Sequence, residues 1–265
     1  VVRKGEMLGL DPFKLSKVST EEGKLLDVED IAELLADFYL PDSIALRNRL
    51  RSYVSDYADS YSIFEFLENI KTDTELYNYL KAIEAPPDKY VFDGDPPERI
   101  ENVVFGLKEI SGSGATRLKA IITTMLSLIY QKEAFGDKDR GYIFIDEAWL
   151  FVKYPITMSL LENLARRARK YNKGLLFITQ RPFDVAASEA GRTILEQSAT
   201  VFLLRQKEAG VKTLKEIYNI RDEEGQELIR AEPGHGILRT GNYLLRIYVQ
   251  PSREEFELFR TTGAW

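Results

Sequence analysis

The chain has no cysteine and a single histidine, His235. The first absence excludes disulfides and thiolate zinc centres. The second leaves too few imidazoles for a histidine-ligated metal, so any metal here takes oxygen ligands. Positive charge is also in deficit: 36 Lys and Arg against 42 Asp and Glu give a formal net charge of -6. That argues against a surface built to coat nucleic acid, which needs clustered cations, although it leaves room for a local basic loop. No apolar run approaches the ~20 residues that span a bilayer, and no charged, apolar, small-residue leader opens the chain. Low-complexity tracts and fixed-period repeats are missing as well. What is present is core material: 44% hydrophobic residues over 265 positions suit one large domain, or one domain carrying an insertion. The first residue is Val rather than Met, as expected of a sequence that begins inside a longer protein.

Gly5–Leu10 reads as a short strand, broken by Asp11-Pro12-Phe13 because proline fixes its φ and restricts its predecessor. From about Val28 to Leu80 the period is helical: Ile31, Leu34, Leu35 and Phe38 follow i, i+3, i+4, i+7 spacing, as do Ile63, Phe66, Leu67 and Ile70. Pro41-Asp42-Ser43 separates two helices and offers a cap. Ala85-Pro86-Pro87 and Asp93-Gly94-Asp95-Pro96-Pro97 close this all-helical unit with breakers.

Beyond residue 100 short apolar strands alternate with amphipathic helices, the pattern of an α/β fold with a parallel sheet covered on both faces. The expected elements are strand Val103–Leu107, helix Arg117–Ala134, strand Tyr142–Ile145, helix Met158–Lys170, strand Leu175–Ile178, helix Val185–Gln197, strand Thr200–Leu204 and helix Val211–Ile220. Gly236–Arg239 and Tyr243–Val249 flank Thr240-Gly241-Asn242, a tight-hairpin signal because Gly and Asn tolerate positive φ. A last helix, Ser252–Thr261, begins with a Ser and has Glu255 three residues on, which spells a capping box.

Tyr142-Ile143-Phe144-Ile145 is a continuous apolar run, as in a central parallel strand buried on both faces, and it ends in Asp146-Glu147. Ligands of open α/β sheets bind beyond the carboxyl ends of the strands. Two readings stand. The pair is a Walker B element, in which Asp146 holds the Mg²⁺ of a nucleotide and Glu147 orients or polarises the attacking water; or it is an ordinary solvated strand end. Leu175–Ile178 ends in Thr179-Gln180, so a neighbouring strand would deliver an amide to the same crevice edge, suited to a γ-phosphate or a water. Between them Leu161, Leu164, Ala165 and Ala168 form a buried stripe that leaves Arg166, Arg167, Arg169 and Lys170 on other faces. These cations suit a helix C-terminus, and one of them, with Arg169 favoured, suits phosphoryl-charge stabilisation in a neighbouring subunit.

Other features point away from chemistry. Gly112-Ser113-Gly114-Ala115-Thr116 looks like a phosphate loop, but Ala115 stands where the lysine is required, so it reads as a connection. His235 between two glycines reads as a turn residue. Tyr53, Tyr57 and Tyr61 at helical spacing read as packing.

Tyr142–Trp149, the Arg169-Lys170 helix end, Thr179-Gln180 and Gly234–Gly241 together resemble the conjugative-transfer ATPases of type IV secretion systems. The likeness is to the carboxy-terminal domain of the fourth VirB component, the TraC/TrbE type, within the FtsK- and HerA-like clan. Leu10-Asp11-Pro12-Phe13 resembles that family's "NPF" segment with Asp for Asn. Asn102–Leu107, Ile194–Gln197 and Ser252–Phe259 resemble further conserved segments.

The resemblance implies a RecA-like P-loop NTPase core, with a largely parallel sheet and a C-terminal β-hairpin, over residues 1–27 and 91–265. Residues 28–90 are then an inserted all-helical unit. It implies ATP and Mg²⁺ as cofactors, Asp146 as metal ligand, Glu147 as catalytic glutamate, Gln180 as phosphate sensor and Arg169 as a trans-acting arginine. Arg239 is implied as a contact to nucleotide or a neighbouring subunit. It further implies a hexameric homo-oligomer, other secretion-apparatus proteins as partners, a DNA or DNA–protein substrate, and a cytoplasmic place at the inner face of the cell membrane. The family's P-loop lies upstream of the segment matched by Leu10–Phe13, so this stretch alone is expected to bind ATP poorly. A HerA-like DNA pump and a catalytically incomplete docking scaffold are the rival expectations.

Overall fold

A computed structural model describes residues 6–20, 23, 24, 26–96, 104–107, 110, 114–136, 140–168, 170 and 172–259. Contacts divide the chain into two compact units, Val1–Ile178 and Thr179–Trp265.

The first unit opens without the expected strand: residues 6–10 pair in no sheet, and Gly5 lies outside the described residues. Their amides donate instead to a helix end some eighty residues away, Leu8 N–H to Tyr90 O at 2.9 Å and Leu10 N–H to Val91 O at 3.0 Å. Between them Gly9 adopts φ +63°, and a Cβ there would stand 1.7 Å from Asp95 O, so only glycine fits. Asp11 then caps α1 (Pro12–Leu15) and ties it to the helical region. Its fully buried carboxyl accepts from Phe13 N–H at 2.9 Å and from Ile63 N–H, also at 2.9 Å. Burial pushes this carboxyl above its ordinary range, and those backbone donors pull it part of the way back.

After a short antiparallel pair, β1 (Ser19–Thr20) and β2 (Gly23–Lys24), come α2 (Val28–Tyr39), α3 (Ile44–Asp56), α4 (Ile63–Asn69), α5 (Thr74–Leu80) and α6 (Asp88–Phe92). Side-chain oxygens start the first four. Asp27 and Asp30 form a reciprocal capping box on α2, and Ser43, Ser62 and Asp73 accept from the third amide of α3, α4 and α5. Both stripes anticipated from spacing are buried, and Phe66 stacks on Phe13 with ring centroids 4.9 Å apart. Tyr53 and Tyr57 stack on each other, as packing residues do, whereas Tyr61 is exposed.

The described part of 103–107, residues 104–107, forms no strand; Val103 lies outside the described residues. Next come α7 (Ala115–Gly136), β3 (Gly141–Ile145), a 3₁₀ turn (Ala148–Phe151), α8 (Pro155–Ala168) and β4 (Lys173–Phe177). β3 and β4 pair in parallel, Ile145 opposite Phe177. α8 packs on β4 and α7 packs on α8, with a buried Thr124–Thr157 hydroxyl bond of 2.7 Å. Burial of β3 on both faces is not what the structure shows. Its apolar run alternates, Ile145 inward at 6% exposure but Tyr142 and Phe144 outward at 61% and 67%. A run of large apolar residues carries no marker of which face a neighbour will cover.

The second unit contains α9 (Pro182–Ala186), α10 (Glu189–Gln197), β5 (Thr200–Leu203), α11 (Glu208–Tyr218), α12 (Asp222–Arg230), β6 (His235–Thr240), β7 (Tyr243–Tyr248) and α13 (Arg253–Phe259). The single helix expected over Val185–Gln197 is two, because Ser188 caps α10 through Gly191 N–H at 3.1 Å. β5, β6 and β7 form an antiparallel sheet. The hairpin turns through Gly241-Asn242 with Gly241 at φ +56°, and Ser252 with Glu255 builds the foreseen capping box on α13. His235 is not a turn residue; it starts β6, its ring 4.5 Å from that of Tyr248. The class is therefore mixed α/β with a C-terminal hairpin.

Candidate active site

The site begins where β3 stops. The ladder with the neighbouring strand continues one step past β4, Ile178 N–H donating to Ile145 O at 2.8 Å, and Ala148 N–H then donates back to Ile178 O at 3.0 Å. Asp146 and Glu147 are the two residues held between these bonds. Glu147 lies in the left-handed region, φ 50° and ψ 40°, a conformation that costs a residue with a Cβ about 1–2 kcal/mol. The turn directs its N–H into the Asp146 carboxylate, at 2.8 Å, and starts the 3₁₀ turn 148–151. Local strain of this kind persists where surrounding bonds over-determine it, as the two ladder bonds do here. Trp149, in that turn, donates its indole N–H to Glu147 Oε2 at 2.5 Å. The exposed Asp146 side chain offers hard oxygen of the sort Mg²⁺ accepts; that ion needs only one or two protein carboxylates beside phosphates and water.

The helical region pins the chain just beyond this turn. Tyr154 N–H donates to Phe151 O at 2.9 Å, and the Tyr154 ring lies 5.0 Å from that of Phe38 in α2. One residue before Phe38, Asp37 accepts from Ile156 N–H, 2.7 Å, at the first turn of α8, while its other oxygen holds Arg47 at 2.6 Å. A carboxylate at that position satisfies an orphan amide and suits the positive end of the helix. On the α7 side, Asp88 accepts from both Tyr39 OH, 2.8 Å, and Arg117, 2.7 Å. Burial and the Asp88 carboxylate together push the Tyr39 phenol well above its usual range.

Of the other anticipated residues, Arg166 and Arg167 lie in α8, and Gln180 and Arg239 belong to the second unit. Arg166 pairs with Glu162 at 2.5 Å on the exposed side of α8, Arg167 and Lys170 are exposed, and Arg169 lies outside the described residues. Gln180 is exposed at the start of the second unit, before α9. Arg239 is engaged within that unit: its guanidinium sits 5.1 Å from the Tyr218 ring centroid and donates to Ser198 O at 3.5 Å. Burial raises the Tyr218 phenol to about 12, its OH donating to Leu195 O. A cavity of about 460 Å³ in the second unit, between α12 and the hairpin, is lined by Glu227, Arg230, His235 and Arg246 among others, and by none of the anticipated site residues.

Residues 111–236 match the family model described as an AAA-like domain. The type IV secretion system protein virB4 of Brucella abortus is 20% identical over 242 residues, covering 84% of this chain and 29% of that protein. That of Bartonella quintana is 31% identical over 96 residues, 36% of this chain and 12% of that protein. In three dimensions the chain is similar to the solved VirB4 of Thermoanaerobacter pseudethanolicus, with a TM-score of 0.76 at 19% identity, over 97% of this chain and 77% of that one. The chain resembles the VirB4-type secretion ATPases.

The VirB4 likeness thus takes in both units, and the chain spans 29% of the length of the Brucella relatives. Asp146, Glu147, Arg169 and Gln180 fall inside the AAA-like match, and Arg239 falls just beyond it. Two residues that shape the site, Trp149 and Asp37, have no role assigned in the sequence-based expectation. Trp149 carries a readable signal, an indole donor two residues from a carboxylate. Asp37 carries none, since its partner is 119 residues away.

Proposed function

We propose that this chain is the hydrolytic portion of a Mg-ATP-driven motor of a type IV secretion apparatus. The observation that carries the reading is the Asp146-Glu147 pair at the carboxyl end of β3, Glu147 held in a left-handed turn. Strand ends of this kind form the ligand crevice of α/β sheets. The VirB4 resemblance supports nucleotide as the ligand. When bound, Mg²⁺ supplies charge neutralisation for the phosphates, and Asp146 is the residue that holds it. Glu147 polarises a water for in-line attack on the γ-phosphorus and accepts its proton as the phosphoanhydride bond breaks and ADP leaves. Gln180 contacts the γ-phosphate, Arg169 reaches the site of a neighbouring subunit, and Arg239 contributes at a subunit boundary or to nucleotide.

In this reading residues 1–27 and 91–265 form one RecA-like core interrupted by the helical unit 28–90. The full-length protein assembles as a ring, a hexamer, at the cytoplasmic face of the membrane. There it works with other secretion-apparatus proteins on a DNA or DNA–protein substrate. No helix among the described residues is long and apolar enough to cross a membrane. In the full-length protein, Glu147→Gln is expected to abolish steady-state ATP hydrolysis while leaving Mg-ATP binding intact. Wild-type turnover by that variant would defeat the assignment. Residues 1–265 alone are expected to bind Mg-ATP far more weakly than the full-length protein by calorimetry; equal affinity would place the phosphate-binding elements inside this stretch.

A further inference from the structure

We propose that Trp149 is a positioning residue for Glu147, its indole N–H fixing the carboxylate over the end of β3. The inference rests on the reading of Glu147 as the water-polarising group. Three observations carry it. The indole nitrogen donates to Glu147 Oε2 at 2.5 Å. Glu147 departs from the strand in a left-handed conformation, so its side chain direction is set by a single sharp turn rather than by a helix or sheet. Trp149 itself sits in the 3₁₀ turn 148–151, which is fastened at one end by Ala148 N–H on Ile178 O and at the other by Tyr154 N–H on Phe151 O.

An indole N–H only donates, so it orients a carboxylate without competing for the proton that the carboxylate takes from water. An ionised carboxylate has about four acceptor sites, so a bond to Trp149 does not by itself exhaust its capacity to accept from water. The contact also fixes a flexible side chain whose misplacement by a fraction of its length is costly to hydrolysis.

The test uses the full-length protein with Mg-ATP. Trp149→Phe, which keeps the ring and removes the donor, should lower kcat by roughly 10- to 100-fold with KM for Mg-ATP within about twofold. Trp149→His, whose ring N–H can donate, should recover part of the loss. Turnover by Trp149→Phe at or above the wild-type rate overturns the proposal. Equal losses in the Phe and His variants do so too, because they would trace the effect to packing rather than to the N–H. A second readout needs no turnover. Within residues 1–265, a Trp265→Phe background leaves Trp149 as the only indole, and Glu147→Ala should shift its emission; unchanged emission means the bond is not formed. Glu147→Gln separates the two readings. If that variant hydrolyses normally, the role of Glu147 itself fails, whereas a dead Glu147→Gln beside a normal Trp149→Phe removes only the positioning role.

Discussion

In the helical region of the first unit Leu34, Leu35, Phe66 and Leu67 expose no surface, whereas on the β3–β4 sheet Tyr142 and Phe144 keep 61% and 67% of theirs and Leu176 keeps 43%. The same kinds of side chain serve both regions. A helix has one apolar stripe and is satisfied once that stripe meets its neighbours, as α2 to α5 do around Phe13 and Leu50. A sheet has two faces, and here α8 packs on β4 while Tyr142, Phe144 and Leu176 stay exposed. Stability in this unit therefore resides in the helices, and the element that bears the acids is held by its edges: by ladder bonds to Ile178, by Asp37 on α8 and by the Phe38–Tyr154 ring contact.

That contrast can be broken by substitution. Phe66→Ala should cost the first unit about 3–5 kcal/mol in denaturant unfolding, the range for deleting a large buried ring; a small loss would mean that the helical core is loosely packed. Asp11→Ala leaves the amides of Ile63 and Phe13 buried without their acceptor and should cost about 2–3 kcal/mol.

Asp11 also makes a pH prediction. Its carboxyl is raised in the fold, so the folded state binds the proton more tightly than the unfolded one. Its contribution to stability is then greatest below the ordinary value of 3.8 and declines as pH climbs through the raised folded value. Asp11→Asn keeps one acceptor oxygen and cannot titrate, so it should remove that slope from the unfolding free energy measured across acid to neutral pH. Near neutrality it should lie within about 1 kcal/mol of wild type.

On the sheet the same measurement should barely register. Phe144→Ala is expected to fall within about 0.5 kcal/mol of wild type, as exposed substitutions do. Gly174→Ala should be smaller still. Its Cβ would meet Tyr142 Cδ1 at 2.7 Å, but that ring is exposed and can swing aside. A loss above about 1 kcal/mol at either position would show the outer face to be covered in solution, since only covered side chains resist such changes.

Much of this architecture is legible in the amino-acid order alone. The stripe Ile31, Leu34, Leu35, Phe38, the Ser252–Glu255 box and the Gly241-Asn242 turn are local patterns, and local patterns survive folding. The break at Ser188 is hidden because a side-chain oxygen overrides an unbroken helical period, and α12 because Asp222–Arg230 has Leu228 and Ile229 as its only large apolar residues. The opening segment reads as a strand because it is short and ends at the Asp11-Pro12-Phe13 break; that its amides serve the end of α6 depends on a chain reversal no window contains. The acids of the site are visible for the same reason as the caps, since Asp146 and Glu147 are neighbours at a strand end. The groups that steady them from α2 are hidden by distance along the chain.

The bond from Ile156 N–H to Asp37 gives the chain an order of assembly. A ribosome releases Asp37 well before Ile156, so the helical unit can be in place, with its carboxylate waiting, when the segment carrying the acids emerges. The helix α2 is in that sense a jig for the strand end that bears the acids: without it, α8 would form with no Asp37 carboxylate for Ile156 N–H and no Phe38 ring for Tyr154 to rest on.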